Sequence, residues 1–314
     1  MQEKEEEKMK QVKWGNTSFK VPAVVSGCMR LAQLDREEMN HFIHHALDRG
    51  ANFFDHADIY GGGRSEELFG EAIHGDPSIK RDDLILQSKC GIRKGCYDLS
   101  GEHILESVDG ILKRLKTDYL DVLLLHRPDA LVEPEEVAEA FDRLEQSGKV
   151  RYFGVSNHKP AQIRLLKKYV RQSLTANQLQ LSIPVSNMIA NGMEVNMETA
   201  GSADRDGSVL DYCRLEDMTI QAWSPFQMSG WRGCFLGNEE YAGLNEVLNN
   251  LAEKYEVTDT AIAAAWILRH PAGMQVVAGT ASEKRLAEII AGSEIRLERE
   301  EWYRLYLAAG HILP

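Results

Sequence analysis

Eight short β-rich runs, each followed by an amphipathic stretch, constrain this chain more than any other feature. They are VVSGCM (24–29), NFFDHA (52–57), LILQSKC (84–90), DVLLLH (121–126), YFGVS (152–156), ANQLQLS (176–182), TIQAWS (219–224) and QVVAG (275–279). Helical patterns fall between them. One runs from Arg36 to just before Gly50, where glycine suits a helix end. Another opens at Arg64-Ser65 with two glutamates in its first turn. In 101–115, Ile104, Val108, Ile111 and Leu115 recur at helical spacing. The stretch 134–149 carries proline in its first turn and glycine near its end. PAQIRLLKKYV, SVLDYCRLE, a segment near 240–255, TAIAAAWILRH and SEKRLAEIIAG complete the series.

Strands alternating with helices predict a parallel sheet, because each crossover returns the chain to the same end. Eight apolar strands, buried on both faces, predict a closed (β/α)8 TIM barrel rather than an open doubly wound sheet. An open dinucleotide-binding sheet would carry G-x-G-x-x-G after the first strand. VVSGCMRLA lacks that motif, and GGGR at 61–64 follows strand two instead. Strand-like runs around Gly15-Asn16 add an N-terminal β-hairpin, and an extra C-terminal helix closes the series. Ordinary domain sizes would divide 314 residues in two, yet barrels of this length form one unit. The expectation is one barrel domain over 1–314, with 1–10 (MQEKEEEKMK) a charged, flexible tail.

Composition narrows the function classes. The net charge of −12, from 36 basic and 48 acidic residues, repels phosphate backbones and argues against a nucleic-acid partner. No apolar run reaches the roughly 18 residues that a spanning helix needs. The charged start lacks the apolar stretch of a signal peptide, which gives a cytoplasmic expectation. The five cysteines, Cys28, Cys90, Cys96, Cys213 and Cys234, form no CxxC pair and signal neither zinc nor a disulfide framework.

Barrels of this kind place their chemistry at the C-terminal strand ends. Strand two ends at Asp55, its loop carries Tyr60, strand three ends at Lys89 and strand four at His126. Each alone reads as a turn, cap or surface residue. Four of them at one mouth, from three successive units, suit the reduction of a carbonyl. Hydride transfer builds negative charge on oxygen, so a proton donor is required. Tyr60 can donate, and a Lys89 ammonium beside it would lower the phenol pKa. Asp55 would hold the lysine charged, and His126 could orient the carbonyl or share the proton.

The segments FFDHADIYGGGRSEELFGEAI, ILQSKCG, LDVLLLHRPD, SGKVRYFGVSNH and QAWSPF, in this order, resemble the aldo-keto reductase superfamily. The SKCGI and HRPD phrasing is similar to its small bacterial members, and the resemblance runs from Lys13 to the final helix. It implies reduction of an aldehyde or ketone with a catalytic tetrad of Asp55, Tyr60, Lys89 and His126, Tyr60 being the acid. It implies NADPH as cofactor, with NADH possible, and a small-molecule carbonyl partner. Ser156, Asn157 and Gln178 would meet the nicotinamide carboxamide, and Trp223 would stack on the ring. Ser224, Pro225 and Phe226 would run along the pyrophosphate, while Gly27 and Met29 would line the nicotinamide ribose. Gly279 and Thr280 match the adenosine-phosphate loop, Arg285 the residue facing the ribose 2′-phosphate, and Glu288 the one near the adenine amine.

Two departures stand out. Many members carry lysine where Gly279 stands, which leaves Arg285 as the recognisable phosphate cation. The stretch 183–208 is rich in Asn, Gly, Ser and Asp and reads as a mostly irregular active-site loop. His41, His44 and His45 read as a solvated helix surface without carboxylate partners, and Asp58 and His56 as no metal site. QMSGWRGC, with Trp231 and Arg232, reads either as a flap over the cofactor or as a surface loop. Two other function classes stay open: an NADP(H)-binding regulatory or redox-sensing barrel with little turnover, and a metal-dependent barrel aldolase or isomerase.

Overall fold

A computed structural model describes residues 9–313, so most of the charged 1–10 segment lies outside the described residues. Eight parallel strands close into a ring. They are β1 (Val24–Gly27), β2 (Phe53–Asp55), β3 (Ile85–Cys90), β4 (Leu120–Leu125), β5 (Val150–Ser156), β6 (Leu174–Gln180), β7 (Thr219–Trp223) and β8 (Gln275–Ala278). Each pairs with its neighbours in sequence order, and β8 closes on β1 with Val276 opposite Val24. Every residue of β3 and β4 is buried, as expected of strands walled by helices outside and side chains inside. The eight strand runs of the sequence are these eight strands with ends shifted by up to two residues, β4, β5 and β6 beginning earlier than expected.

The helices follow as α1 (Arg36–Asp48), α2 (Arg64–Gly75), α3 (Gly101–Leu115), α4 (Pro134–Gln146), α5 (Pro160–Lys167), α6 (Asn187–Met193), α7 (Val209–Leu215), α8 (Ala242–Tyr255), α9 (Asp259–Leu268), α10 (Glu283–Ala291) and α11 (Arg299–Ala308). Their starts have local causes. Asp35 caps α1 through the Glu38 amide, and the Glu38 carboxylate returns to the Asp35 amide. Ser100, Thr258 and Ser282 cap α3, α9 and α10 in the same sense. α6 breaks the irregular stretch expected over 183–208. The remainder of that stretch turns on Asp204, whose Oδ1 accepts from the amides of Asp206, Gly207 and Ser208.

The hairpin pairs Gln11–Lys13 with Lys20–Pro22 and plugs the N-terminal end of the barrel. Its fully buried Trp14 packs on Phe53 at 5.5 Å. The Gly15 amide donates to Thr219 Oγ1 at 2.7 Å, at the start of β7. Gly15 has φ +54°, and a Cβ there would press within 2.8 Å of the Thr175 carbonyl. On the outside, α9 and α11 are joined by two indoles stacked 4.8 Å apart. Trp266 Nε1 donates to the Trp302 carbonyl and Trp302 Nε1 to the Trp266 carbonyl, at 3.1 and 3.0 Å. Beyond α11, His311 stacks on Tyr306 and its Nε2 lies 2.8 Å from both the Ile183 carbonyl and Ser186 Oγ. The C-terminal segment thereby braces the start of 183–208. No helix among the described residues is long and apolar enough to cross a membrane.

Candidate active site

Lys89 sits near the end of β3 with its side chain fully buried. A buried ammonium must place all three of its protons. Here Nζ lies 2.7 and 2.8 Å from the two Asp55 oxygens, donates to the His56 carbonyl at 2.8 Å, and to Tyr60 Oη at 3.1 Å. Burial is the largest single influence on Lys89 and lowers its pKa, but Asp55 and Tyr60 together hold it above the ordinary lysine value. The lysine is therefore charged.

Tyr60 reaches this ammonium because of the glycines behind it. Gly61 and Gly63 have φ +60° and +95°; a Cβ on Gly61 would stand 2.7 Å from Ala32 Cβ, and one on Gly63 2.9 Å from Arg114 Cδ. The turn is thus tightly packed at these two glycines, and it delivers the chain straight into α2. Since Lys89 donates to Tyr60 Oη, the phenol's own proton is left free for another acceptor. From the sequence, Lys89 is expected to lower the Tyr60 pKa. The structure corrects this: Lys89 does pull downward, but burial pushes up harder, and the phenol ends above its ordinary value. Tyr60 is a neutral phenol held against a cation.

His126 follows β4 and stands edge-on to Tyr60, ring centroids 6.2 Å apart. Burial first, then Lys89 and Arg127, push its pKa down to about 2, so the imidazole is neutral. Its Nδ1 is buried without a partner. His56, also buried, is pushed down to about 3 for the same two reasons, burial and Lys89.

A second cluster lies on β5, β6 and β7. Ser156 Oγ donates to the Gln178 carbonyl at 3.0 Å, Asn157 Nδ2 to Ser156 Oγ at 2.8 Å, and Trp223 Nε1 to Asn157 Oδ1 at 3.1 Å. Asn157 and Ser224 both adopt left-handed backbone, φ +59° and +50°. Trp231 stacks on Trp223 at 5.2 Å, carried by a small turn in which the Met228 amide donates to the Gly233 carbonyl. Arg232 clamps that turn to Glu240 with bonds of 2.6 and 2.8 Å. Pro225 is buried and Phe226 half-buried at the base of this turn.

The third group gathers at the ends of β1 and β8. Gly27 lies against β8, where an added Cβ would come within 3.4 Å of Gly279 Cα, and Met29 is exposed. Thr280 Oγ1 accepts from the Ser282 amide, and Ser282 caps α10. Arg285 is exposed with no ion pair among the described residues; Glu288 faces Lys284 at 3.9 Å. One residue here carries no signal in the sequence. Arg30 Nη1 donates to the Gly279 carbonyl and stands 3.2 Å from where a Cβ at 279 would be. A guanidinium from the β1 loop thus occupies the space beside the glycine. Nothing in local sequence links positions 30 and 279; only closure of β8 on β1 does.

The surface histidines also need correction, since each meets a carboxylate. His44 Nε2 bonds Asp76 at 2.8 Å, His45 Nδ1 lies 3.4 Å from Glu283, and His41 3.9 Å from Glu37. The three partners are separate, and no three His, Cys, Asp or Glu side chains group as a metal site among the described residues.

Comparison with known proteins points to one family. The model of the Aldo/keto reductase family matches residues 23–306. An uncharacterized oxidoreductase of Bacillus subtilis, YcsN, is 35% identical over 306 residues, covering 93% of this chain and 95% of its own. A 6-dehydroglucose reductase of Novosphingobium aromaticivorans is 33% identical over 310 residues, covering 96% of each. The crystal structure of an aldo-keto reductase from Klebsiella pneumoniae in complex with NADPH superposes with TM-score 0.76 at 25% identity, covering 98% of this chain and 96% of that one.

Proposed function

The chain belongs to the aldo/keto reductase family, and from that premise we propose that it reduces an aldehyde or ketone to the alcohol with NADPH, Tyr60 giving the proton. The observation that carries this reading is the Lys89 ammonium, saturated by Asp55, the His56 carbonyl and Tyr60 Oη.

The residues fit a nicotinamide dinucleotide. Asn157 Nδ2 keeps a second N–H beyond its bond to Ser156, and with Gln178 it offers the complementary groups that a carboxamide needs. Trp223 presents a half-buried indole for ring stacking. Two guanidiniums without ion pairs among the described residues, Arg30 and Arg285, stand at the β1–β8 end, where phosphates would meet them. Gly27, Met29, Gly279, Thr280 and Glu288 would line the same side, and Ser224, Pro225 and Phe226 would run along the pyrophosphate between the two ends. The pair of arginines favours NADPH over NADH.

Bound NADPH supplies a hydride to the carbonyl carbon. As charge builds on the oxygen, Tyr60 releases its free phenolic proton to it, completing the alcohol. A phenol is a weak acid in water, but the developing alkoxide is far more basic. The phenolate left behind faces Lys89, whose charge Asp55 sustains; water then restores the proton. Neutral His126 positions the carbonyl oxygen by donating its single ring N–H to it, and leaves delivery of the proton to Tyr60. Following nicotinamide absorbance with NADPH against a panel of aldehydes and ketones tests the reading. Tyr60→Phe should cut turnover by at least about a hundredfold while NADPH binding stays near that of the parent. Unchanged turnover in Tyr60→Phe would remove Tyr60 as the acid.

A further inference from the structure

Behind Asp55, four glutamines occupy the barrel interior, all of them buried. Gln178, Gln221 and Gln275 are cross-strand neighbours on β6, β7 and β8. Gln87 lies opposite Asp55 in the β2–β3 register. β3 and β7 stand across the ring from each other, yet Gln87 Nε2 donates to Gln221 Oε1 at 2.9 Å, so this bond spans the interior. Gln178 Nε2 donates to the same oxygen at 3.1 Å. Gln221 Nε2 donates to Gln275 Oε1 at 3.0 Å, and Gln275 Nε2 to the Pro22 carbonyl at 2.6 Å. The other Gln87 N–H goes to Asp55 Oδ1 at 2.5 Å.

We infer that Gln87, Gln221 and Gln275 form a ladder of amides that positions the Asp55 carboxylate, and through it Lys89 and Tyr60, from the far end of the barrel. This rests on the reductase reading above.

The argument is one of hydrogen-bond polarity. A side-chain amide in a ladder donates on one side and accepts on the other. This ladder ends on a carboxylate at one end and a backbone carbonyl at the other, both acceptors. Such a run cannot be satisfied throughout: one amide must donate both ways and leave its oxygen without a partner. That amide is Gln87, whose buried Oε1 has none. An unpartnered oxygen in a barrel interior is a cost that apolar packing would avoid. Its retention beside Asp55 shows where the ladder's constraint falls. Both Gln87 hydrogens are committed, so the amide cannot flip, and Asp55 Oδ1 meets a donor fixed from the Pro22 end. With Oδ1 held in this way, both carboxylate oxygens face Lys89 Nζ, at 2.7 and 2.8 Å. Gln87, Gln221 and Gln275 touch neither substrate nor cofactor in this reading; they are positioning residues.

Gln87→Met keeps the volume and removes both donors; Gln275→Met cuts the ladder at its far end, beside Pro22. Each variant is checked for thermal unfolding and for NADPH binding by fluorescence, then assayed for kcat, KM and the primary isotope effect with hydride-deuterated NADPH. Misplacing a catalytic group costs about tenfold to a hundredfold in rate. We expect that fall in kcat for Gln87→Met and a smaller fall for Gln275→Met. NADPH affinity should hold and the isotope effect should rise in both as chemistry becomes more limiting. A purely structural role would lower the unfolding temperature and leave kcat per folded molecule and the isotope effect unmoved, and that result overturns the inference. Should Gln87→Met not fold, Gln275→Met decides alone, and parental kcat there overturns it too. The parent protein separates the two levels. No turnover by the parent defeats the reductase reading and the ladder's role with it, whereas an active parent with unaltered variants defeats the ladder only.

Discussion

Asp58 sits between Asp55 and Tyr60, its amide donating to the Lys89 carbonyl and its Oδ1 buried without a partner. Burial first, then the Glu66 carboxylate, push its pKa up to about 7, against the pull of Arg114. The folded protein therefore binds this proton more tightly than the unfolded chain, where an aspartate titrates near about 4. The stability tied to it is full below that value and is lost as pH rises towards 7. Asp58→Asn should thus unfold at a higher temperature than the parent at pH 8 and lose that advantage near pH 4. A difference in unfolding temperature that stays flat across this range would count against the buried acid. At the other end of the site, Arg285→Ala and Arg30→Ala should each weaken NADPH by about tenfold or more and NADH much less, as expected for charge-assisted phosphate bonds. Fluorescence titration with both nucleotides decides it; equal losses would place the 2′-phosphate elsewhere.

Packing between elements fixes where these residues stand, and α2 against α3 is the tightest case. A Cβ on Gly70 would lie 2.2 Å from the Arg114 carbonyl and 2.7 Å from the Leu115 carbonyl carbon, both backbone. Gly70→Ala should therefore cost about 1–3 kcal/mol in denaturant unfolding. It should also lower kcat, since α2 follows directly from the Tyr60 turn. Gly192, inside α6, has open space around its would-be Cβ, so Gly192→Ala should be neutral or gain up to about 1 kcal/mol. The contrast also shows what the sequence discloses. Strands such as LDVLLL announce themselves because a barrel buries both faces of them. α6 does not, because NMIANGM is only seven residues long and carries two asparagines and a glycine among its better helix formers. The Ile92–Arg93 and Cys96–Tyr97 hairpin is too short to leave a pattern. Asp55, Tyr60, Lys89 and His126 could be read because each ends or follows an apolar run. The glutamine ladder could not: Gln87, Gln221 and Gln275 look like isolated polar residues until the register and the ring bring them together. Arg30 was hidden for the same reason.

At the scale of the whole molecule, the ring is sealed from outside as well as within. The reciprocal Trp266–Trp302 pair binds the last helix to α9, and Tyr306 and His311 carry that contact on to Ile183 and Ser186. Trp302→Ala should cost about 3–5 kcal/mol, read from denaturant unfolding, with a loss below 1 kcal/mol arguing that the pair is ornamental. The meeting of β8 with β1 has a further consequence, for how the protein is made. Strands β1 to β7 can assemble in the order of synthesis, each onto the one before. β1 nevertheless keeps a bare edge until β8 emerges from the ribosome some 250 residues later. The hairpin that plugs the barrel floor waits likewise for Thr175 and Thr219. A nascent chain folded in that order would stay an open sheet with two exposed edges until a single four-residue strand emerged to close it.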